Sequence, residues 1–138
     1  MKWTATIKKI GPEALTTEDN MIILFGENVA TELFDVSVIQ KFSTATPSED
    51  FIFQKGDKIT IDNQTYVADY VGTMVENNMR TLEQVTLCFD KKSDDNPLAN
   101  AIHFTFANNQ SMPKFKVNES IEYEHIWWGK LNGLREKI

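Results

Sequence analysis

The sequence predicts an all-β, closed Greek-key-like barrel with one short helix at about 74–82, and three observations predict it. Apolar and polar residues alternate in several short runs. Turn-forming clusters such as Gly11-Pro12, Lys55-Gly56-Asp57 and Asp62-Asn63-Gln64 separate those runs. A single stretch, Val71 to Asp90, leaves the period of two for a helical one and returns to it.

In chain order, Trp3, Ala5 and Ile7 alternate with Lys2, Thr4, Thr6 and Lys8, a first strand with one apolar face. Met21 to Phe25 is a continuous apolar run stopped by Gly26, which reads as a second, more fully buried strand. From Phe34 to Phe42 the pattern splits again. Phe34, Val36, Val38, Gln40 and Phe42 share one face; Asp35, Ser37, Ile39 and Lys41 share the other. Gln40 is thus the one polar side chain on an apolar face.

A polar loop with Pro47 follows, and pairing is expected to resume at Phe51 and Phe53. Ile59 and Ile61 lead through a hairpin turn into Thr65 to Val71, with Tyr66, Ala68 and Tyr70 on one face. Gly72 allows a tight exit, and Thr73 with Glu76 has the spacing of a capping box. Val75, Met79 and Leu82 then fall at i, i+4 and i+7 on one helical face, before Val85, Leu87 and Phe89 restore the strand period. Leu98 to Phe104 with Phe106, and Ile121 with Tyr123, supply the last strands. Trp128, Leu131, Leu134 or Arg135, and Ile138 recur at spacings of three and four, so an amphipathic C-terminal helix also fits, against Gly129 and Gly133.

The run VGTMVENNMRTLEQVTLCFD resembles the glucitol/sorbitol-type enzyme IIA of the phosphoenolpyruvate-dependent sugar phosphotransferase system, where VG-x-x-x-x-N-L-x-x-L-G-H-x-T-L-x-F-D stands here. Val71, Gly72, Asn78, Leu82, Thr86, Leu87, Phe89 and Asp90 match, whereas Glu83 and Gln84 replace Gly-His. LANAIHF at 98–104 resembles the family's L-P-G-T-I-H-L, keeping Leu98, Ile102 and His103. The resemblance spans about residues 3 to 124 and implies the same β barrel. On it the chain divides into a barrel domain, 1–124, and an extension, 125–138.

The bulk numbers agree with a single domain. A chain of 138 residues suits one core, and 41% hydrophobic with 25% charged residues is a globular, not a disordered, composition. No apolar run is long enough to form a transmembrane segment, and nothing after Met1-Lys2 reads as a signal peptide. With the lone Cys88 unable to form an internal disulfide, a cytoplasmic location is expected. A net charge of −6 without a Lys/Arg cluster argues against nucleic acid.

What the resemblance implies about activity is a phosphorelay: a histidine accepts a phosphoryl group from the histidine-containing phosphocarrier protein and passes it to sugar permease components. An imidazole suits this because it keeps a free lone pair at neutral pH. The family's phosphorylated histidine lies in a segment of the form F-I-H-C-H, which aligns with Val38, Ile39, Gln40, Lys41 and Phe42. Gln40 stands at the nucleophile and Gln84 at the second histidine. A carboxamide nitrogen is delocalised into its carbonyl and does not attack phosphorus, so both changes keep hydrogen bonding and remove nucleophilicity. His103, the remaining histidine of the matched region, is expected either to line a polar pocket with Gln40 and Gln84, to accept phosphate itself, or to be a hydrogen-bonded strand residue. The expectation is a divergent, binding or regulatory relative, with an active carrier using His103 as the alternative. His125 reads as structural or superficial. No cofactor is expected, and no metal site, since two histidines and one cysteine lack ligand spacing. The extension folds over its own barrel, joins homo-oligomer subunits through Trp127, Trp128 and Leu131, or binds a partner.

Overall fold

A computed structural model describes residues 1–16, 20–89 and 97–126. Eight strands close into a barrel in the order β1-β3-β2-β6-β7-β5-β4-β8, with β8 hydrogen-bonded back to β1. They are β1 (Lys2–Ile10), β2 (Met21–Phe25), β3 (Ser37–Phe42), β4 (Lys58–Ile61), β5 (Gln64–Val71), β6 (Val85–Phe89), β7 (Ala101–Phe104) and β8 (Ser120–Glu124). Parallel contacts join β2 to β3 and β6 to β7; the other six are antiparallel. Closure leaves no free sheet edge along the ring. No described helix is long and apolar enough to cross a membrane.

The alternation seen in the sequence sets which side chains fill the barrel. Trp3, Ala5 and Ile7 from β1, Ile59 and Ile61 from β4, and Ile121 and Tyr123 from β8 are all buried in the core. Asp62 and Asn63, at φ 54° and 58°, form the two-residue turn joining β4 to β5, the left-handed geometry that matches strand twist. Helix α2 (Val75–Leu82) turns Val75 and Met79 into the same core. Gly72 is needed before it because a Cβ there would lie 2.1 Å from the Ala99 carbonyl oxygen.

Several local expectations are corrected. β2 alternates: Ile22 and Leu24 are buried, while Met21, Ile23 and Phe25 are only half-buried. Phe34 is not in a strand, since Thr31–Phe34 form a one-turn helix, α1, and β3 begins at Ser37. The Ser37 hydroxyl donates to the Leu33 carbonyl at 2.5 Å and fixes that turn, leaving Val36 exposed. Phe51 and Phe53 follow a short 3-10 turn, Ser48–Asp50, and are buried without belonging to a strand. Trp3, Phe42, Phe51, Phe53 and Tyr123 pack ring against ring there. Aromatic packing replaces strand pairing.

The capping box does not form. Met74 is the N-cap, without a side-chain hydrogen bond, because Glu76 instead accepts the Phe53 N–H at 2.9 Å. Leu82 is also off the buried face and 55% exposed. A shift in β5–β7 register between Ala68 and Tyr70 takes Tyr70 off the face of Tyr66. β7 stops at Phe104, with Phe106 packed beyond it. The expected C-terminal helix, with Trp127, Trp128 and Leu131, lies outside the described residues.

Candidate functional site

Gln40 shares the inward face of β3 with Val38 and Phe42 and has no exposed surface. An unpaired amide buried in this way costs about 1–3 kcal/mol, so the interior tolerates it only if both ends are bonded. They are. Its Nε2 donates to the Glu83 carbonyl at 2.8 Å and to the Met79 sulfur at 3.6 Å, and its Oε1 accepts the Tyr123 hydroxyl at 2.7 Å. The Tyr123 ring stacks on Phe42, and burial pushes its phenol far above the ordinary tyrosine range. The phenol therefore stays a protonated donor, fixing the orientation of the amide.

Gln84 lies between α2 and β6, where Val85 is the first core residue, so its side chain points to the other side of the wall. Its Oε1 accepts from Asn78 Nδ2 at 3.1 Å and from Asn100 Nδ2 at 3.3 Å, and Asn100 also approaches the Thr86 hydroxyl at 3.4 Å. This is a lateral polar cluster on the outer face, nearly buried. His103 belongs to that outer face too, because its neighbours Ile102 and Phe104 fill the core. It pairs in register with Cys88 and lies 4.8 Å, centroid to centroid, from the Tyr70 ring. Four strand positions, roughly 13 Å, separate the level of Gln84 from that of Cys88.

The three expected pocket residues therefore do not meet in one cluster. Gln40 is inside the wall, with Gln84 and His103 outside it and at different levels. The physical reason is parity: a β-strand alternates faces, and apolar neighbours on both sides of His103 turn it outward.

Two features escaped the sequence reading. The first is Glu83, which ends α2 in the left-handed conformation, φ 52° and ψ 34°. Its Oε1 accepts the Phe42 N–H at 3.3 Å. Burial first, then the Glu27 and Glu49 carboxylates, raise its pKa, against the lowering effects of the Phe42 hydrogen bond and Lys41. The run of matches around Leu82 and Thr86 marks Glu83 as a departure, but its spatial role has no local signal. The second is Asp57, the buried partner that makes His125 structural, as one of its two expected readings had it: His125 Nδ1 lies 2.7 Å from Asp57 Oδ2, while Asp57 also accepts from Gln54 N and Ile126 N. His125 is thus a structural clamp that ties the start of the extension to the turn before β4.

Beside Glu83 opens a cleft of about 440 Å³, bordered by Gly26 to Ala30, Leu33, Ser48, Glu49 and the end of α2, Arg80 to Glu83. Glu27, Glu49 and Glu83 make it acidic. Arg80 contributes the opposite charge, but its Nε donates to the Phe51 carbonyl at 2.8 Å and holds it along the wall. Among the described residues, no group of three or more His, Cys, Asp or Glu side chains is placed to hold a metal ion.

Comparison with known proteins gives two findings. The family described as PTS system glucitol/sorbitol-specific IIA component matches residues 2–122. Among solved structures, the PTS system IIA component from Enterococcus faecalis V583 is similar at 29% identity, covering 87% of this chain and 98% of its own, with a TM-score of 0.76. No curated protein matches.

Proposed function

Since the chain belongs to the glucitol/sorbitol-specific IIA family of the phosphotransferase system, we propose that this member does not carry phosphate on β3 and acts as a binding or regulatory relative. The observation that carries the reading is the state of Gln40. A phosphoryl acceptor needs a lone pair and an approach for the donor. Gln40 has no nucleophilic nitrogen and no exposed surface, and both ends of its amide are occupied by Tyr123, Glu83 and Met79.

The partners consistent with this reading are the histidine-containing phosphocarrier protein and the sugar permease components, met in the cytoplasm without phosphate passing through this chain. His103 supplies the competing reading, since its imidazole is chemically able to take a phosphoryl group. Its 5% exposure weighs against direct transfer from a protein donor.

The test is incubation of the full chain with phosphoenolpyruvate and the general phosphotransferase proteins, followed by intact mass measurement. We expect no acid-labile phosphoryl group. A phosphorylated product that disappears in His103→Gln would establish the carrier and end the binding-relative reading.

A further inference from the structure

β2 pairs with β3 only as far as Phe25 opposite Ile39. Past that point β2 has turned away, and Gly26 N donates to the Leu82 carbonyl at 3.0 Å. The segment of β3 holding Gln40 and Phe42 would face a seam in the wall. Glu83 fills the seam. Its carbonyl takes the Gln40 amide, and its carboxylate takes the Phe42 N–H and packs on Gly26, where an added Cβ would meet Oε2 at 2.4 Å. Glu83, Leu82, Gly26 and Phe25 all border the acidic cleft, whereas Gln40 does not.

We infer that the Glu83 side chain is the wall between the residue-40 position and the cleft, and that without it the two form one continuous site. The inference rests on reading residue 40 as the displaced phosphoryl seat. It adds a second barrier, separate from the loss of the imidazole. The barrier is steric, because the side chain occupies the seam. It is also electrostatic: the Glu49 and Glu83 carboxylates border the path that an anionic phosphoryl donor would take, while Glu27 is paired with Lys41 at 3.5 Å and Arg80 is the other nearby cation. Glu83 is also the position where the backbone can best accept loss of the side chain. At φ 52° glycine is unstrained, so Glu83→Gly removes the wall while leaving the helix end free to keep its geometry.

The experiment measures access directly. Full chains carrying Gln40→His, Gln40→His with Glu83→Gly, and Gln40→His with Glu83→Gln are treated with diethyl pyrocarbonate, and modification of each imidazole is followed by peptide mass mapping. His103 and His125 serve as internal references. A walled ring reacts only through local opening, so the introduced imidazole should react at least about tenfold faster with Glu83→Gly than with Gln40→His alone. Glu83→Gln, which keeps the wall and removes the charge, should stay slow. Equal rates in all three chains, or fast reaction with Gln40→His alone, would overturn the inference. Cooperative thermal unfolding is checked first, and Glu83→Asn, a shorter residue that tolerates the left-handed conformation, replaces Glu83→Gly if that chain does not fold. Phosphorylation of the natural protein would remove the proposed function but leave these rates unchanged, so the two failures are distinguishable.

Discussion

The inner and outer faces of the barrel wall each hold a glutamine, and they treat it differently. Gln40 sits among aromatic rings, fully enclosed, with partners drawn from β8 and from the end of α2. Gln84 sits in a row of amides and a hydroxyl, with Asn78 and Asn100 both donating to one oxygen. An enclosed amide has no replacement partner when a bond is lost, whereas an amide near the surface can turn to water. Two chemically identical side chains therefore carry unequal structural weight.

The largest expected effect breaks the comparison most directly. Gln40→Ala leaves the Tyr123 hydroxyl and the Glu83 carbonyl unpaired and opens a cavity, and should destabilise the fold by about 2–4 kcal/mol in urea unfolding. A loss below about 1 kcal/mol would show that the interior relaxes or admits water. Gln84→Ala should cost less, about 1 kcal/mol, because Asn78 and Asn100 retain solvent as a partner. A cost equal to that of Gln40→Ala would erase the distinction between the two faces.

The smallest effect sharpens it through pH. Glu83 has a folded-state pKa raised above the ordinary value of 4.5, so the folded chain holds that proton more tightly than the unfolded one. Stability from this group is therefore complete below the ordinary value and is lost as pH rises through the raised one. Glu83→Gln keeps an acceptor for the Phe42 N–H and removes the titration. The difference in urea midpoint between Glu83→Gln and the natural chain should grow in favour of the variant from pH 4.5 to neutrality. A difference that is flat over that interval would mean the carboxylate is as well solvated in the fold as in the unfolded chain.

Much of this was legible in the sequence where a local pattern dictates it. The alternation in β1, β4 and β8, and in β5 as far as Ala68, gave strands and their buried faces, and the single stretch with a helical period gave α2. The inward position of Gln40 follows from Val38 and Phe42, and the outward position of His103 was equally available from Ile102 and Phe104. Grouping His103 with Gln40 drew on family resemblance over the parity of its own strand. Other misses had no local signal. Glu76 has the spacing for a capping box, yet a backbone N–H at Phe53 takes its carboxylate. Phe51 and Phe53 read as a strand but are held by rings from three other segments.

What the sequence determined by itself is the side of the wall on which a residue stands wherever a strand runs without a register shift, because the face alternates with every step along the backbone; the shift that moves Tyr70 came from pairing with β7. It also determined that residue 40 lacks a nucleophile, since that is a property of the carboxamide alone. Which groups enclose Gln40 was decided only when the barrel closed, bringing Tyr123 and Glu83 from distant positions to the two ends of one amide. Hydrogen-bond partners across a closed barrel depend on strand order and register, which no single stretch of chain encodes.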